Sequence, residues 1–343
     1  MGTEFVEFPA IGLNIPVNRI AFTIRISNFS FDIYTYALII TGALLLALIL
    51  GIRQSTKYGI AQDDLVDLLI YTIPISIICL RLYYVIFSWD YYKDDLLRII
   101  NFRDGGLAIY GAIIGAFGTV FVYTKLKKMN PFKVLDFGVP YLLLGQAIGR
   151  WGNFVNQEAF GCNTALPWGM TSNAISEYLA FKAQELSTMG IAVDPLLPVH
   201  PTFLYESLWC FAIAIVLFIR RRNPSFTGEV FLLYLIGYGT GRAFIEGLRV
   251  DSLMFGQFRI SQLLSILLVV LCIFLWAILK KRSAENADAS PDVSLSDTAI
   301  DLESGAMQME EPPAAEAVEA SDEGAGIEQL EQEKNGKGKQ ENA

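Results

Sequence analysis

Seven long apolar runs constrain the fold of this 343-residue chain more than any other feature of its sequence. The runs cover residues 31–52, 65–89, 105–124, 134–148, 201–219, 228–245 and 260–279. Each approaches the roughly 20 residues that an α-helix needs to cross a bilayer, and the fourth run is the shortest. Hydrophobic residues make up 53% of the chain and charged residues 18%, a composition too apolar for an ordinary soluble domain. The sequence therefore predicts an all-α integral membrane protein with about seven transmembrane helices.

Basic residues collect in alternate connections between these runs. They are Arg53 and Lys57, then Lys125, Lys127, Lys128 and Lys133, then Arg220, Arg221 and Arg222, and finally Lys280, Lys281 and Arg282. Because cytoplasmic loops carry an excess of lysine and arginine, we expect these connections to be cytoplasmic. Seven spans then place the N-terminus outside and the C-terminus in the cytoplasm, with residues 150–200 as an outer loop or head segment.

The chain divides into three parts on the same grounds. Residues 1–30 form an outer N-terminal arm without the pattern of a removable signal peptide, and alternating apolar positions from Ile20 onward favour a short strand or an interfacial segment. Residues 31–282 form the membrane domain, with a net charge of +4. Residues 283–343 hold sixteen acidic residues against three lysines, a net charge of −13, and no aromatic residue. We expect this acidic cytoplasmic tail to be disordered, because it cannot bury enough apolar area to fold.

Arg150 and Glu158 stand out at the end of the fourth run, in the segment from Gly149 to Gly161. A charged side chain at membrane depth costs at least roughly 2.5–3.5 kcal/mol, so such residues indicate a functional site. Gly149, Gly152 and the neighbouring asparagines predict that the helix breaks around Arg150. An arginine fork suits phosphate, and membrane lipids carry phosphate in their headgroups. The segment therefore predicts a protein that acts on lipid.

Three other segments place polar groups at the same outer level. Arg242 and Glu246 are four residues apart, on one face of the sixth run, where they can pair. Residues 200–206 open the fifth run, and residues 105–111 open the third run with Tyr110 and small residues that permit close helix packing. Structural explanations compete for each one. Arg242 with Glu246 could be only an interhelical pair, Tyr36, Tyr205 and Tyr238 interfacial aromatics, His200 a satisfied histidine, and Arg81 a structural arginine.

Several classes of site are disfavoured by what the sequence lacks. The four cysteines have no CxxC or other metal-ligand spacing, and His200 is the one histidine in the chain. A zinc site, a disulfide framework and a Ser-His-Asp triad are therefore poor interpretations. We expect no metal, no cofactor and no nucleic acid partner.

Residues 149–161, Gly-Arg-Trp-Gly-Asn-Phe-Val-Asn-Gln-Glu-Ala-Phe-Gly, resemble the signature of the bacterial prolipoprotein diacylglyceryl transferase family. Residues 105–111, 200–206 and 237–246 are similar to further motifs of the family, in the same order along the chain. The resemblance covers approximately residues 31–282, in what looks like the seven-helix topology of the family. The acidic tail lies outside it.

This resemblance implies transfer of a diacylglyceryl group from phosphatidylglycerol to the lipobox cysteine of a prolipoprotein signal peptide, in the inner (cytoplasmic) membrane of a bacterium. The product is a thioether, and glycerol 1-phosphate leaves. Arg150 matches the lipid-binding arginine of the family signature, and Arg242 matches a second essential arginine. Asn153, Glu158, Gly161, Tyr36 and Glu246 match further positions of the family. The other candidate substrate-binding residues are Asn156, His200, Tyr205, Glu206 and Tyr238.

One position departs from the family pattern. Some members carry a histidine proposed as the base for the thiol where this chain has Tyr110. Either Tyr110 serves as the base, His200 replaces it, or no enzymic base is needed. We favour the last alternative, because a thiol of pKa about 8.5 is already partly ionised near neutrality and nearby arginines increase that fraction.

The chemistry also follows from the residue types. A thiolate that attacks a glyceryl carbon displaces a phosphate ester, and fixed arginines stabilise the charge on the departing oxygen without a metal. Glu158 and Glu246 could hold the arginines in place. A lipid or small-anion transporter with a broken helix is the alternative function, although the chain shows no pair of similar halves. A scaffold that recruits partners through its acidic tail is a third interpretation.

Overall fold

The computed structural model describes residues 4–26, 29–101, 105–251, 254–255 and 258–288. The helices are α1 Thr35–Ser55, α2 Gln62–Phe87, α3 Trp89–Tyr92, α4 Ile109–Leu126, α5 Pro131–Asn156, α6 Asn173–Thr188, α7 Thr202–Arg220, α8 Glu229–Glu246 and α9 Ile260–Asp288. Short 3-10 turns cover Pro9–Ile11, Thr56–Tyr58 and Leu96–Ile99. The strands are β1 Glu4–Phe8, β2 Leu13–Val17, β3 Ile20–Ile26, β4 Phe29–Tyr34, β5 Met254–Phe255 and β6 Phe258–Arg259.

Each of the seven apolar runs contains one long helix: α1, α2, α4, α5, α7, α8 and α9. Among the described residues, α1, α2, α4, α7 and α9 are long and apolar enough to cross a membrane. The other two, α5 and α8, are less apolar because they carry charged residues such as Arg150, Arg242 and Glu246. Five candidate spans support a helical membrane protein, and the count of seven stays a prediction.

Helix α5 packs against α1, α7 and α8, while α2 pairs with α4 and α8 pairs with α9. Small residues set the closest contact, because a Cβ atom on Gly111 of α4 would lie 2.2 Å from the carbonyl oxygen of Cys79 on α2. This confirms the close helix packing predicted for the third run. Apolar side chains of α5, α7 and α8, among them Leu143, Leu217 and Val230, form one buried cluster between the helices.

The N-terminal arm corrects the prediction of an all-α fold. β1 pairs with β2 and β3 pairs with β4, each pair antiparallel, and a third short hairpin joins β5 to β6. The alternating residues of β3 therefore form a strand, one of the two alternatives predicted for them. Helix α1 consequently begins at Thr35 and not at Phe31, because the pairing of β4 continues to Tyr34. Residues 1–3 and 27–28 of the arm lie outside the described residues.

The β1–β2 hairpin of the arm packs against residues 150–200, and these residues together are called the head. Val6 and Val17 from the β1–β2 hairpin share a buried apolar core with Met170, Ile175 of α6 and Val199. Backbone hydrogen bonds link Glu7 to Thr171 in both directions, at 2.8 Å each. The same core includes Phe154 of α5 and Phe203 of α7, so the head is continuous with the helices, and an outer head segment stays a prediction.

The C-terminal boundary differs from the predicted one. α9 continues to Asp288, beyond the end of the membrane domain predicted at residue 282. The lysines and arginine at 280–282 therefore lie within helix α9. Residues 289–343, most of the predicted disordered tail, lie outside the described residues.

Candidate active site

The segment around Arg150 is helical throughout, so the predicted helix break is wrong. α5 continues through Gly149, Arg150 and Gly152 to Asn156 and ends with Gln157 in a left-handed conformation at φ 56°. The glycines serve close packing: a Cβ atom on Gly152 would lie 2.5 Å from the ring of Tyr36 on α1. The same contact brings Tyr36 next to the arginine.

A buried glutamate on α7 joins three arginines from different segments. Glu206 Oε2 lies 2.6 Å from Nη2 of Arg150, and Glu206 Oε1 lies 3.2 Å from Nη1 of Arg242 and 3.4 Å from Nη1 of Arg249. The Glu206 side chain is 6% exposed. A buried charge is tolerated when it is paired and hydrogen-bonded, so this carboxylate fixes the relative positions of the three guanidinium groups.

Two further carboxylates complete the cluster. Glu246 Oε2 lies 2.6 Å from Nη2 of Arg242, which confirms the pair predicted from their spacing. Asp251 accepts two hydrogen bonds from Arg249, from Nε at 2.9 Å and from Nη2 at 2.7 Å. Burial opposes the charge of Arg249, but the hydrogen bonds to Asp251 and the charges of Glu206 and Glu246 outweigh it and raise its pKa above the ordinary value.

Arg150 and Arg242 keep donors available for a ligand. Their side chains are 21% and 23% exposed, whereas that of Arg249 is 12% exposed and is already held by Asp251 on two sides. A guanidinium has five N–H donors. Within the described residues, the ion pairs of Arg150 end on Glu206 alone. The remaining donors of the two arginines suit an anionic group with several acceptor oxygens, such as a phosphate.

A cavity of about 410 Å³ begins at Arg150 and runs between α1 and α5. Arg150 and Asn153 line its polar end, and its apolar walls extend to Leu142 and Tyr141 on α5. The distance along α5 from Asn153 to Tyr141 is roughly 18 Å at 1.5 Å per residue. The α1 wall includes Tyr36, Ile40, Ala43, Leu44 and Ala47. A cavity with a cationic end and long apolar walls is complementary to an amphiphilic anion.

The signature asparagines hold Glu158 rather than an arginine. The Nδ2 atoms of Asn153 and Asn156 donate to Glu158 Oε1 at 2.9 and 3.2 Å. The suggestion that Glu158 holds the arginines is therefore wrong, because its carboxylate is taken by these amides. Glu206 holds the arginines instead. No sequence pattern indicates this role, because Glu206 is one polar residue in the first turns of an apolar helix.

Gly161 lets two backbone segments meet beside the cluster. Its N–H donates to the carbonyl oxygen of His200 at 2.9 Å, and the next residue, Cys162, donates to that of Leu248 at 2.8 Å. A Cβ atom on Gly161 would lie 2.8 Å from the Cβ atom of His200 and 3.0 Å from the Leu248 oxygen. The contact places Leu248 and the adjacent Arg249 against the head.

His200 belongs to a small polar chain next to this contact. Its Nδ1 atom lies 3.1 Å from the hydroxyl of Tyr205, which also accepts a hydrogen bond from Nε1 of Trp168 at 2.7 Å. Burial lowers the pKa of His200 below its ordinary value, so the ring is neutral at pH 7. A neutral ring held by Tyr205 agrees with the interpretation of a satisfied histidine.

The aromatic residues of the predicted site differ in how near they lie to the arginine cluster. Tyr238 and Arg242 border the same small cavity beside Glu206, and Tyr238 stacks on Tyr234. Tyr110 is 45% exposed and packs near Tyr83, with ring centroids 6.2 Å apart. Its neighbour Ile109 lines the cavity between α1 and α5. The structure therefore brings Tyr238 to Arg242 and leaves Tyr110 next to a residue at the edge of the larger cavity.

Arg81 is structural, as predicted. It is buried and donates hydrogen bonds of 2.6–2.9 Å to the backbone carbonyl oxygens of Arg98, Ile99, Asn101, Gly105 and Gly106. These oxygens belong to the connection between α3 and α4.

Arg249 belongs to the arginine cluster but was not among the predicted site residues. The acid two positions later, Asp251, is the sequence signal that could have indicated it, because Arg249 and Asp251 form a bidentate pair.

These features define a helical membrane protein with a cationic site at the polar end of an apolar cavity. The sequence model of the prolipoprotein diacylglyceryl transferase family matches residues 21–278. Proteins named phosphatidylglycerol–prolipoprotein diacylglyceryl transferase are 40% identical in Clostridioides difficile over 79% of this chain and 98% of the relative, and 44% in Bacillus cytotoxicus over 75% and 91%. The relative from Listeria innocua is 47% identical over 71% of this chain and 84% of its own. The chain belongs to the prolipoprotein diacylglyceryl transferase family, which confirms the resemblance.

Proposed function

We propose that this protein transfers the diacylglyceryl group of phosphatidylglycerol to the lipobox cysteine of a prolipoprotein. The sulfur forms a bond to the glyceryl carbon, the bond from that carbon to the phosphate oxygen breaks, and glycerol 1-phosphate leaves while the thiol proton passes to solvent. The observation that carries the proposal is the meeting of Arg150 and Arg242 on Glu206, at the polar end of an apolar cavity. Membership of the family supports the same reaction.

The two exposed arginines are assigned to the phosphate. Charge develops on the departing oxygen as the carbon–oxygen bond breaks, and donors fixed in advance stabilise it without reorganising. Glu206 and Glu246 hold Arg150 and Arg242 in position through their ion pairs. These carboxylates are positioning residues in the proposal, and the two arginines are the catalytic ones.

The lipid is proposed to lie with its headgroup at Arg150 and an acyl chain along the cavity. Asn153 lines the polar end, and with Asn156 it holds Glu158, so these three residues can orient the glycerol hydroxyls. Tyr36, which packs on Gly152, lines the cavity with Arg150, and the glyceryl carbons can rest against its ring. Tyr238 shares a small cavity with Arg242, and Gly161 contacts His200, which is held by Tyr205.

No enzymic base is included in the proposal. The nucleophile belongs to the substrate, and the arginine cluster increases its thiolate fraction. Tyr110 lies at the cavity edge beside Ile109, and the His200 ring is held by Tyr205. Neither placement points to proton abstraction beside Arg150.

We also propose that all seven long helices cross the inner membrane of a bacterium, with the head outside. The basic residues of the alternate connections support this orientation. Thr23→Cys in the arm and Ser283→Cys in α9, each made after serine replaces the four native cysteines, report it in intact cells. An impermeant thiol reagent should label position 23 and leave position 283 unlabelled. The reverse pattern would contradict the orientation.

The reaction is tested with purified protein, phosphatidylglycerol vesicles and a lipobox peptide. Transfer requires that glycerol phosphate appear at the same rate as the peptide thiol disappears, and that the peptide gain the mass of a diacylglyceryl group. Movement of lipid between leaflets without thiol loss would instead identify the transporter alternative.

A further inference from the structure

A second groove, separate from the lipid cavity, runs between α2 and α4. Its volume is about 830 Å³, and its lining residues differ from those of the cavity beside Arg150. On α2 it is lined at four-residue intervals from Asp67 through Tyr71 and Ile75 to Cys79, which is one face of a helix. Residues 67–79 of α2 span roughly 18 Å at 1.5 Å per residue. The groove is therefore long, straight and parallel to the helices.

The walls of this groove are apolar and open to the outside of the protein. Ile114 and Val122 on α4 are 60% and 61% exposed, and Tyr71 on α2 is 53% exposed. Gly118 of α4 lies between them, and a Cβ atom added there would meet nothing within 4 Å. Gly115, by contrast, would place its Cβ atom 2.9 Å from that of Cys79. Gly115 therefore serves packing of α2 on α4, while Gly118 keeps the groove wide.

One end of the groove carries an exposed carboxylate, that of Asp67, beside a lysine. Asp63 and Asp64 precede Asp67, in the first turn of α2. Lys127 of α4 lines the same end and lies 2.8 Å from Asp64 Oδ1 and 3.9 Å from Asp67 Oδ2. Because Lys127 is the nearer partner of Asp64, the carboxylate of Asp67 can accept a cation from a ligand in the groove.

We propose that this groove binds the signal peptide of the prolipoprotein substrate, an inference that rests on the proposed function. A signal peptide has a basic N-terminal region followed by an apolar region of 7–15 residues. As a helix, that apolar region is roughly 10–22 Å long, which fits the groove. Its basic region then meets Asp67 at the end proposed to be cytoplasmic, where positive charge is retained.

The same placement delivers the cysteine to the lipid. A peptide that runs from Asp67 past Ile114 emerges toward the outer end of α4, where Ile109 lines the lipid cavity with Arg150. Tyr110 follows Ile109 on α4 and is exposed. The peptide and the lipid thus approach one reaction centre from different grooves.

The shape of the groove is tested by filling it. Gly118→Leu adds a side chain to open space in the groove, and Gly42→Leu is the matched control on α1, because Gly42 is also exposed and also has nothing within 4 Å of an added Cβ atom. Gly118→Leu should raise KM for the lipobox peptide roughly tenfold, as for an overpacked contact, and leave KM for phosphatidylglycerol unchanged. Gly42→Leu should change neither.

The charge of the groove is tested with two peptides that differ only in their N-terminal region, one with three lysines and one with three glutamates. Asp67→Asn should raise KM for the lysine peptide roughly two- to fivefold, as expected for one exposed ion pair. Asp67→Lys should reverse the preference and favour the glutamate peptide. A change of structure alone would not exchange the order of two peptides.

The outcomes separate this inference from the proposed function. Absence of transfer by the unmodified protein to either peptide would contradict the proposed function itself. Transfer by the unmodified protein, with the same peptide KM in Gly118→Leu and the same peptide preference in Asp67→Lys, would show that the groove holds only membrane lipid and would overturn the inference.

Discussion

Replacing Glu206 by glutamine tests whether one buried carboxylate organises the site. Glutamine keeps the size of the side chain and one acceptor oxygen but removes the charge shared by Arg150, Arg242 and Arg249, which lie 2.6, 3.2 and 3.4 Å away. Breaking a buried ion pair from one side costs roughly 3–5 kcal/mol. The three arginine side chains are 12–23% exposed, so water offsets part of the cost. We expect the free energy of unfolding to fall by about 2–3 kcal/mol, at or just below the lower end of that range.

The loss of activity should exceed the loss of stability. Arg150 and Arg242 repel each other once the charge between them is gone, and displacement of a positioning group by about 1 Å can lower a rate roughly a hundredfold. We expect a decrease of that order in glycerol phosphate release from Glu206→Gln at a temperature where the protein stays folded. Denaturant unfolding in detergent measures the stability, and steady-state release measures the rate.

Glu185→Gln is the matched control for this prediction. Glu185 pairs with Lys182 on α6, and both side chains are exposed, at 52% and 31%. Exposed pairs contribute roughly 0–1 kcal/mol, so this variant should unfold and react almost as the parent does. Equal stability and equal turnover in Glu206→Gln and Glu185→Gln would refute the view that Glu206 organises the arginines.

Three other changes follow from the same structure. Tyr110→Phe removes a hydroxyl that lies away from the arginines, so glycerol phosphate release should fall less than tenfold, well below the roughly 100-fold or larger effect of losing a general base; a dead variant that still binds lipid would contradict this. Gly161→Ala places a methyl group 2.8 Å from the His200 Cβ atom, so its unfolding free energy should drop by roughly 1–3 kcal/mol, and unaltered denaturant midpoints would show that the contact relaxes freely. Because burial lowers the pKa of His200, the unfolded chain binds its proton more readily, and stability should fall as pH drops below about 6.5 toward the lower pKa of the folded protein. Melting temperatures from pH 7.5 to 5 should therefore fall less in His200→Gln than in the parent, and parallel profiles would remove this histidine from the pH dependence.

Helix positions followed from the sequence because they depend on local composition. Each apolar run contains one long helix, and the pair of Arg242 with Glu246 follows from four-residue spacing. The hairpins of the arm were harder to predict, because β1 and β2 pair with each other and pack on residues 170 and 199, which are distant in the chain. Local patterns do not report such contacts.

The interpretation of Arg150 shows how far the site can be predicted from sequence patterns. Glycines beside an arginine in an apolar run fit either a broken helix or close contact between helices. The contact of Gly152 with Tyr36 on α1 decides for the second, and that partner lies more than a hundred residues away. The role of Glu206 could not be predicted for the same reason, since its arginines come from α5, from α8 and from the connection after α8.

The central claim is that the Arg150 fork engages the phosphate of the lipid. Arg150→Lys keeps the positive charge and can still pair with Glu206, but it loses the planar pair of donors that binds two phosphate oxygens together. The decisive measurement is phosphatidylglycerol-dependent glycerol phosphate release, coupled to peptide thiol loss, by the parent, Arg150→Lys and Arg150→Ala at equal folded concentration. The account predicts that Arg150→Lys loses activity nearly as completely as Arg150→Ala, and activity close to that of the parent in Arg150→Lys would contradict it.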